Sequence, residues 1–319
     1  MEISERQSMM SLSEARPRVS VIIPVHNGED TVARAIDSAL SQTYKDNVEV
    51  IVINNGSTDQ TAKVLESYAE RIIILDEPAL GVARARNTGV AAARGKYLAF
   101  LDADDEWMPE KLARVVPLLE ADPECVLAYH DGIITDTDGT VIRESACPAG
   151  HDAALSLESL IKYSGLGLPI LFDSVVLRRD IFDRVGGFNE QLESAEDVWL
   201  QINAREIGHF RYLPEALMKR QQGISPSREN WYIAGAYSLR SLIRERYGSK
   251  VDSRHLEVVL KWAALEALRR DERSLARRRY LAATIQRPVQ IKGWLALIAT
   301  FLPSSLISTL APVQGRAIS

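Results

Sequence analysis

Short apolar runs alternate with longer amphipathic stretches through the first hundred residues of the chain. The apolar runs are rich in β-branched residues and have the length of buried strands; they occupy residues 19–24, 48–53, 71–75 and 97–101. Between them, apolar residues recur at helical spacing over residues 29–42, 60–69 and 82–94. Strands and helices in regular alternation predict an α/β fold, with a mostly parallel sheet flanked by helices.

The pattern changes after residue 105, where the regular alternation is lost. Helices are predicted at residues 109–120, 180–185 and 195–206, and strands at residues 125–129, 132–134 and 174–177. From Trp231 onward the pattern is almost entirely helical. We therefore predict a disordered N-terminal segment over residues 1–17, an α/β domain over 18–225 and a helical C-terminal extension over 226–319.

Loops rich in polar residues directly follow three of the predicted strands. They cover residues 24–27, 54–59 and 102–105. The carboxyl ends of parallel strands lie at one edge of a sheet, and ligands bind there in folds of this class. The sequence therefore predicts that these three loops build one ligand-binding site.

Three carboxylates, Asp102, Asp104 and Asp105, follow the fourth predicted strand within four residues. Ionised carboxylates that are buried together without a counter-charge are unfavourable. A divalent cation relieves this cost because hard cations take oxygen ligands. The run therefore indicates an Asp-x-Asp metal site that could hold a diphosphate. The alternative is an acidic turn that caps the next helix, since carboxylates also favour helix N-termini.

Composition narrows the classes of function. The chain has 319 residues, of which 46% are hydrophobic and 25% charged, and its net charge of −5 gives no reason to expect nucleic acid as a partner. The two cysteines, Cys125 and Cys147, have neither metal-ligand nor disulfide spacing. The first 18 residues lack the apolar core of a signal peptide. These features lead us to expect a cytoplasmic location.

Five motifs follow one another in an order that is typical of one family. They are VSVIIPVHN at 19–27, NGSTD at 55–59, GVARARN at 81–87, LDADD at 101–105, and GGFNE at 186–190 with Glu196 and Asp197 after it. On these motifs the chain resembles the family 2 glycosyltransferases, which invert the anomeric carbon and have the GT-A fold. The resemblance covers residues 17–225.

The resemblance implies transfer of a sugar from a nucleoside-diphosphate sugar, with UDP as the expected carrier. The expected acceptor is a hydroxyl of a glycan or lipid-linked acceptor in polysaccharide or glycan assembly. The resemblance also implies Mn²⁺ or Mg²⁺ at Asp104 with Asp102, because a metal stabilises charge on the diphosphate leaving group. Asp197 would be the general base, and the adjacent Glu196 would raise the proton affinity of the pair. For Glu196 and Asp197 the alternative is helix capping.

The same resemblance assigns the nucleotide-sugar site to residues near the strand ends. These are Pro24, Val25, His26, Asn27, Asn55, Arg86, Asp102 and Ala103. For three of them a second interpretation stays open. Arg86 could contact the donor or pair with a nearby acid, and Asn55 could bind the base or only stabilise a turn. His26 could stack on or bond to the base, or it could only be a residue at the entry to the next helix.

Two departures from the family pattern keep a second function open. Asn54 and Asn55 stand where many members have two aspartates, and Gln222 stands where some members have a metal-ligating histidine. The alternative to an enzyme is therefore a non-catalytic protein that binds nucleotide sugars on the same fold. A nucleotidyltransferase is disfavoured, because residues 25–29 are not a glycine-rich loop with a basic residue.

The C-terminal stretch at residues 293–312 is apolar, but Pro303 and two serines interrupt it, so it does not have the pattern of a membrane-spanning helix. Its tryptophan and aliphatic residues, with arginines nearby, suit peripheral contact with a membrane surface, here the inner face. The alternatives are packing against the α/β domain and a contact within a homodimer.

Overall fold

The computed structural model describes residues 17–136, 138–146, 156–163, 170–221, 229–248, 255–269 and 272–286, together with 295, 297, 298 and 300. Four features of the sequence lie outside the described residues. They are the predicted disordered segment up to residue 16, Gln222, the predicted domain boundary at 225/226, and most of the apolar C-terminal stretch.

Within these residues, nine strands form one sheet. They are β1 (Val19–Val25), β2 (Val48–Asn54), β3 (Ile73–Asp76), β4 (Tyr97–Phe100), β5 (Glu106–Trp107), β6 (Cys125–Thr135), β7 (Val141–Arg143), β8 (Val176–Arg178) and β9 (His209–Gln221). Their order is β3-β2-β1-β4-β8-β6-β9-β5, and β7 pairs with β6. The pairings among β1 to β4 are parallel, as predicted for the first half of the chain.

Helices connect and follow the strands. The described α-helices are α1 (Val32–Leu40), α2 (Thr61–Glu66), α3 (Val82–Ala92), α4 (Lys111–Glu120), α5 (Leu157–Tyr163), α6 (Arg179–Val185), α7 (Glu196–Ile207), α8 (Glu229–Tyr247), α9 (His255–Arg269) and α10 (Arg273–Gln286). A short 3₁₀ helix covers Phe172–Ser174. The predicted alternation of strands and helices is therefore confirmed over residues 19–101.

The second half of the sheet is mixed. Strand β8 runs antiparallel to β4 and β6, whereas β9 runs parallel to β6 and antiparallel to β5. The two strands predicted within 125–134 form the single strand β6, whose register against β9 shifts around Asp131. Strands β5 and β9 were not predicted, because β5 has only two residues and β9 contains Pro214 and shows no regular alternation of burial.

Helix α3 lies very close to β1 and β2 at Gly89. A Cβ atom at this residue would lie 2.6 Å from Cδ1 of Ile53 and 2.7 Å from Cγ2 of Ile22. Real side-chain atoms do not approach so closely, so only glycine allows the helix backbone to pack at this distance. Gly89 therefore sets the distance between α3 and the sheet. Arg86 lies three positions before Gly89, on the same side of the helix.

The described residues divide into two compact units. The first contains the described residues up to 156, with 170–191 and 196–221, and holds the whole sheet. The second contains 157–163, 192–195 and the described residues from 229 onward. Its small core has Ala236, Leu260 and Ala283 from α8, α9 and α10. Among the described helices, none is both long and apolar enough to cross a membrane.

Candidate functional site

The loops after β1 and β2 are joined by hydrogen bonds at the edge where the parallel strands end. The backbone N–H of Asn55 donates to the carbonyl of Val25 at 2.8 Å, and Nδ1 of His26 lies 2.8 Å from the carbonyl oxygen of Asn55. The backbone N–H of Asn27 donates to Oγ of Ser57 at 3.0 Å. The first two predicted loop clusters therefore form one continuous surface.

The side chain of Asn55 fixes the segment that leads into α3. Its Nδ2 donates to the carbonyls of Glu77 and Ala79, each at 2.8 Å, and its Oδ1 accepts from the backbone N–H of Gly81 at 2.9 Å. The amide oxygen and the amide nitrogen are therefore both engaged with the backbone. This is the turn-stabilising role that the sequence left open. Contact between Asn55 and a nucleotide base stays a prediction.

Asp102, Asp105 and Asp173 form a carboxylate cluster beyond the end of β4, named here the acidic triad. Each offers an oxygen, and these oxygens all lie within 4.8 Å of one another. The backbone N–H of Asp102 donates to Oδ1 of Asp173 at 2.7 Å, and that of Gln221 donates to Oδ1 of Asp105 at 3.0 Å. Burial and the charge of Asp173 raise the pKa of Asp105 well above its usual value. An all-oxygen donor set of this kind fits Mn²⁺ or Mg²⁺.

Asp104, which the sequence pairs with Asp102 as a metal ligand, is exposed and does not belong to the acidic triad. Its backbone carbonyl accepts a hydrogen bond from Nη2 of Arg34 at 2.8 Å. The predicted pair and the acidic triad therefore share Asp102. The other predicted donor-site residues at this edge differ in exposure: His26 and Asn27 are exposed, Pro24 and Ala103 are half-buried, and Val25 is buried.

Asp173 is the member of the site that the sequence analysis missed. Its backbone carbonyl accepts from Nε1 of Trp107 at 2.9 Å and from Nζ of Lys111 at 2.6 Å. Lys111 is fully buried, with its Nζ 3.3 Å from the centroid of the Trp107 ring, and burial lowers its pKa well below the usual value. The sequence signal for Asp173 is slight: it is a charged residue directly before the apolar run 174–177.

Arg86 connects the acidic triad to the start of α7. Its Nη2 donates to Oδ1 of Asp102 at 2.7 Å, and its Nη1 donates to Oε1 of Glu196 at 2.6 Å. The guanidinium carbon lies 5.1 Å and 5.5 Å from the ring centroids of Phe172 and Phe188. Arg86 and Glu196 are each only 4% exposed, so both charges depend on this pairing. The acid-pairing role that the sequence left open for Arg86 is therefore observed.

Three carboxylic acids near Arg86, namely Glu196, Asp197 and Asp173, have raised pKa values. Burial and the neighbouring Asp197 raise the pKa of Glu196 to about 7, although Arg86 opposes this shift. Burial also raises the pKa of Asp197, which is half-buried on α7. Burial and the charge of Asp102 raise the pKa of Asp173 to about 6. The site therefore contains acids that change charge near neutral pH, as a group that accepts a proton requires.

These shifts predict how stability depends on pH. Glu196 titrates near 4.5 in the unfolded chain and about 7 in the folded one, so the folded state holds a proton that the unfolded state releases first. Its contribution to stability is complete below pH 4.5 and is lost as the pH rises to about 7. In the Glu196→Gln variant, we expect the decrease in the free energy of unfolding over this pH range to be smaller by on the order of 2 kcal/mol. The measurement is urea unfolding between pH 4.5 and 7.5 without metal.

The exposed Glu66→Gln on α2 is the matched control and should leave the pH dependence unchanged. An identical pH slope for wild type and Glu196→Gln would contradict the assignment of this proton to Glu196.

The sequence is similar to those of known glycosyltransferases. The sequence profile described as glycosyl transferase family 2 matches residues 20–186. An uncharacterized glycosyltransferase of Rickettsia prowazekii is 31% identical over 207 residues, which cover 64% of this chain and 63% of that protein. The chondroitin synthase of Pasteurella multocida is 29% identical over 207 residues, which cover 64% of this chain and 20% of that protein. The chain spans less than two thirds of the length of these curated relatives.

The fold is similar to those of solved transferases. The structure of S. aureus TarS in complex with UDP-GlcNAc superposes with a TM-score of 0.58 at 19% identity, over 89% of this chain and 79% of that one. The mannosyltransferase PcManGT from Pyrobaculum calidifontis, in complex with GDP-Man and Mn²⁺, superposes with a TM-score of 0.56 at 19% identity, over 94% of this chain and 82% of that one. At this identity the likeness concerns the fold, and it confirms the predicted GT-A architecture.

Proposed function

Because the chain belongs to glycosyl transferase family 2, we propose that it transfers a sugar from a nucleoside-diphosphate sugar to a hydroxyl acceptor, with inversion at the anomeric carbon. One observation carries the proposal: Arg86 joins Asp102 of the acidic triad to Glu196 at the start of α7. Such a reaction needs a cation site for the leaving group and a proton acceptor for the attacking hydroxyl. The ion pairs of Arg86 bring candidates for both into one network.

Asp197 is the proposed general base. It follows Glu196 directly, it is half-buried where Glu196 is fully buried, and burial raises its pKa. Glu196 is engaged by Arg86, which leaves Asp197 as the carboxylate of the pair with access to an acceptor. In this proposal Asp197 takes the acceptor proton as the new bond to the sugar forms, and Glu196 and Arg86 set the charge around it.

Asp102 is the proposed centre of the cation site, because the predicted pair and the acidic triad both contain it. Asp104 offers oxygens from the exposed side of the turn, whereas Asp105 and Asp173 offer theirs from the buried side. When bound, Mn²⁺ or Mg²⁺ would stabilise the negative charge of the departing nucleoside diphosphate.

The donor and the acceptor are proposed from the relatives. The similar structures bind UDP-GlcNAc and GDP-Man, which supports a nucleotide sugar, and we propose UDP as the carrier. The donor would contact the residues predicted for it, namely Pro24, Val25, His26, Asn27, Asn55, Arg86, Asp102 and Ala103. The relatives named chondroitin synthase and hyaluronan synthase support an acceptor in polysaccharide assembly. A cytoplasmic location, peripheral membrane contact and a homodimer remain our predictions.

The proposed cation site predicts that substitution of its carboxylates weakens the binding of Mn²⁺. We expect Asp102→Asn to weaken the binding of Mn²⁺ in the presence of UDP at least about tenfold, because it removes the oxygen that both candidate ligand sets share. Asp104→Asn and Asp173→Asn then test the exposed and the buried ligands separately. Isothermal titration calorimetry gives each affinity, and the exposed Asp180→Asn is the matched control. Wild-type Mn²⁺ affinity in Asp102→Asn would contradict the site.

The proposed transfer is tested with a panel of UDP- and GDP-linked sugars and Mn²⁺. Release of nucleoside diphosphate by the wild type, and its loss in Asp197→Ala, would support an enzyme. Binding of a nucleotide sugar without any release would instead favour the non-catalytic alternative, which Asn54, Asn55 and Gln222 keep open as departures from the family pattern.

A further inference from the structure

Lys111, the first residue of α4, is fully buried. Lysine is almost always exposed in folded proteins, because moving its amine out of water is unfavourable. Its neighbours in sequence, Trp107 and Leu112, belong to the main hydrophobic core, where an aliphatic side chain would avoid this cost. The presence of a lysine here therefore requires an explanation other than hydrophobic packing.

The amine of Lys111 contacts the 3₁₀ helix Phe172–Ser174. Its Nζ donates to the main-chain carbonyl of Asp173 at 2.6 Å, and Nε1 of Trp107 donates to the same carbonyl at 2.9 Å. The Nζ atom also lies 3.3 Å from the centroid of the Trp107 ring. Two buried donors therefore share one acceptor, and they fix the backbone of Asp173 from the side of the core.

The carboxylate of the same residue, Asp173, belongs to the acidic triad. Its Oδ1 accepts the backbone N–H of Asp102 at 2.7 Å, and it offers an oxygen within 4.8 Å of those of Asp102 and Asp105. Because Lys111 donates to the main-chain oxygen, it holds Asp173 without occupying the carboxylate oxygens that a cation would use. One series of contacts therefore runs from Lys111 through Asp173 to Asp102.

We propose that Lys111 is a positioning residue of the cation site, an inference that rests on the proposed function. Lys111 keeps the backbone of Asp173 in place, so that the carboxylates of Asp173 and Asp102 present their oxygens to one cation. The alternative is a role of Lys111 in stability alone. For the Lys111→Met variant the proposal predicts weaker binding of the cation, whereas the alternative predicts only a lower free energy of unfolding.

The first test is isothermal titration calorimetry of Mn²⁺ with the full chain in the presence of UDP. Methionine has nearly the length of lysine but no donor, so we expect Lys111→Met to weaken the binding of Mn²⁺ at least about tenfold. Trp107→Phe removes the second donor to the carbonyl of Asp173 and keeps an aromatic ring. It should weaken the binding a few fold, and it takes the place of Lys111→Met if that variant does not fold.

The matched control is Val116→Ala, a fully buried core residue of the same helix, which should lower stability but leave the affinity for Mn²⁺ unchanged. In the Asp173→Asn background, Lys111→Met should have little further effect, because Lys111 acts through Asp173. Wild-type affinity for Mn²⁺ in Lys111→Met, or in Trp107→Phe where it takes that place, overturns the inference. So does an equal loss in Val116→Ala, or a full additional loss in the Asp173→Asn background.

A second measurement, hydrogen exchange followed by NMR, needs no cation. The backbone N–H of Asp102 donates to Asp173, whereas that of the adjacent Leu101 donates to the carbonyl of Ile22 at 3.0 Å. Lys111→Met should accelerate exchange of the Asp102 amide at least about tenfold relative to that of Leu101. Equal acceleration of both amides overturns the inference. If the wild type binds no Mn²⁺ with UDP, the proposed cation site fails, and the exchange result still decides whether Lys111 holds Asp173.

Discussion

Replacing Arg86 with methionine is expected to lower the free energy of unfolding by about 3–5 kcal/mol at pH 8. The substitution leaves Glu196 buried without its counter-charge, so the carboxyl must either stay ionised or take up a proton from a solution more basic than its present pKa of about 7, and both are unfavourable. It also removes the partner of Asp102. The measurement is urea unfolding followed by circular dichroism. The loss should shrink at pH 5.5, because Glu196 has a raised pKa of about 7 and can take up a proton instead.

Two further variants make this result specific. Glu196→Gln in the Arg86→Met background should restore part of the stability, because it removes the buried charge that was left alone. Arg84→Met is the matched control: it lies on the same helix, but its ion pair with Glu190 is exposed, so we expect a loss of at most about 1 kcal/mol. Equal stabilities of Arg86→Met and Arg84→Met would contradict the proposed importance of the buried network.

Asp197→Asn is expected to slow sugar transfer by about 10²–10⁴-fold, the usual contribution of a positioned general base. The amide has nearly the shape of the carboxylate but cannot take the proton of the acceptor. The measurement is the rate of nucleoside diphosphate release at saturating donor and Mn²⁺. Because Asp197 is not among the proposed donor or metal ligands, the affinity for UDP with Mn²⁺ should stay close to that of the wild type.

The exposed Glu193→Gln, four residues before Asp197, is the control for a local change of charge. A variant Asp197→Asn that transfers at the wild-type rate would exclude Asp197 as the base. One that loses UDP binding but keeps its stability would assign Asp197 to the donor site instead.

The first half of the fold and much of the candidate site could be predicted from the sequence. Strands β1, β2, β3 and β4 are short apolar runs, and each helix between them shows its own periodicity, so local pattern is sufficient. Parallel pairing then brings their carboxyl ends to one edge. The loops after β1 and β2 are in contact there, and Asp102 lies beyond the end of β4.

The second half of the fold depends on contacts between residues that are distant in sequence, and no local sequence pattern predicts such contacts. Strand β9 pairs with β6 and β5 across long sequence separations, and its residues show no regular alternation. Asp173 enters the acidic triad because Trp107 and Lys111 hold its carbonyl. Asp173 is distant in sequence from both Trp107 and Lys111, and Lys111 looks like an ordinary helix residue until its burial is known.

The close packing of α3 at Gly89 limits how the network around Arg86 can vary. The length of an arginine side chain is fixed. Arg86 reaches two carboxylates from a helix backbone that packs closely against Ile22 and Ile53 at Gly89. A single methyl group at residue 89 would push α3 away from the sheet. The guanidinium of Arg86 would then move away from Asp102 and Glu196, although all three charged residues would still be present. The least replaceable part of this electrostatic link is therefore a residue that carries no charge and no side chain.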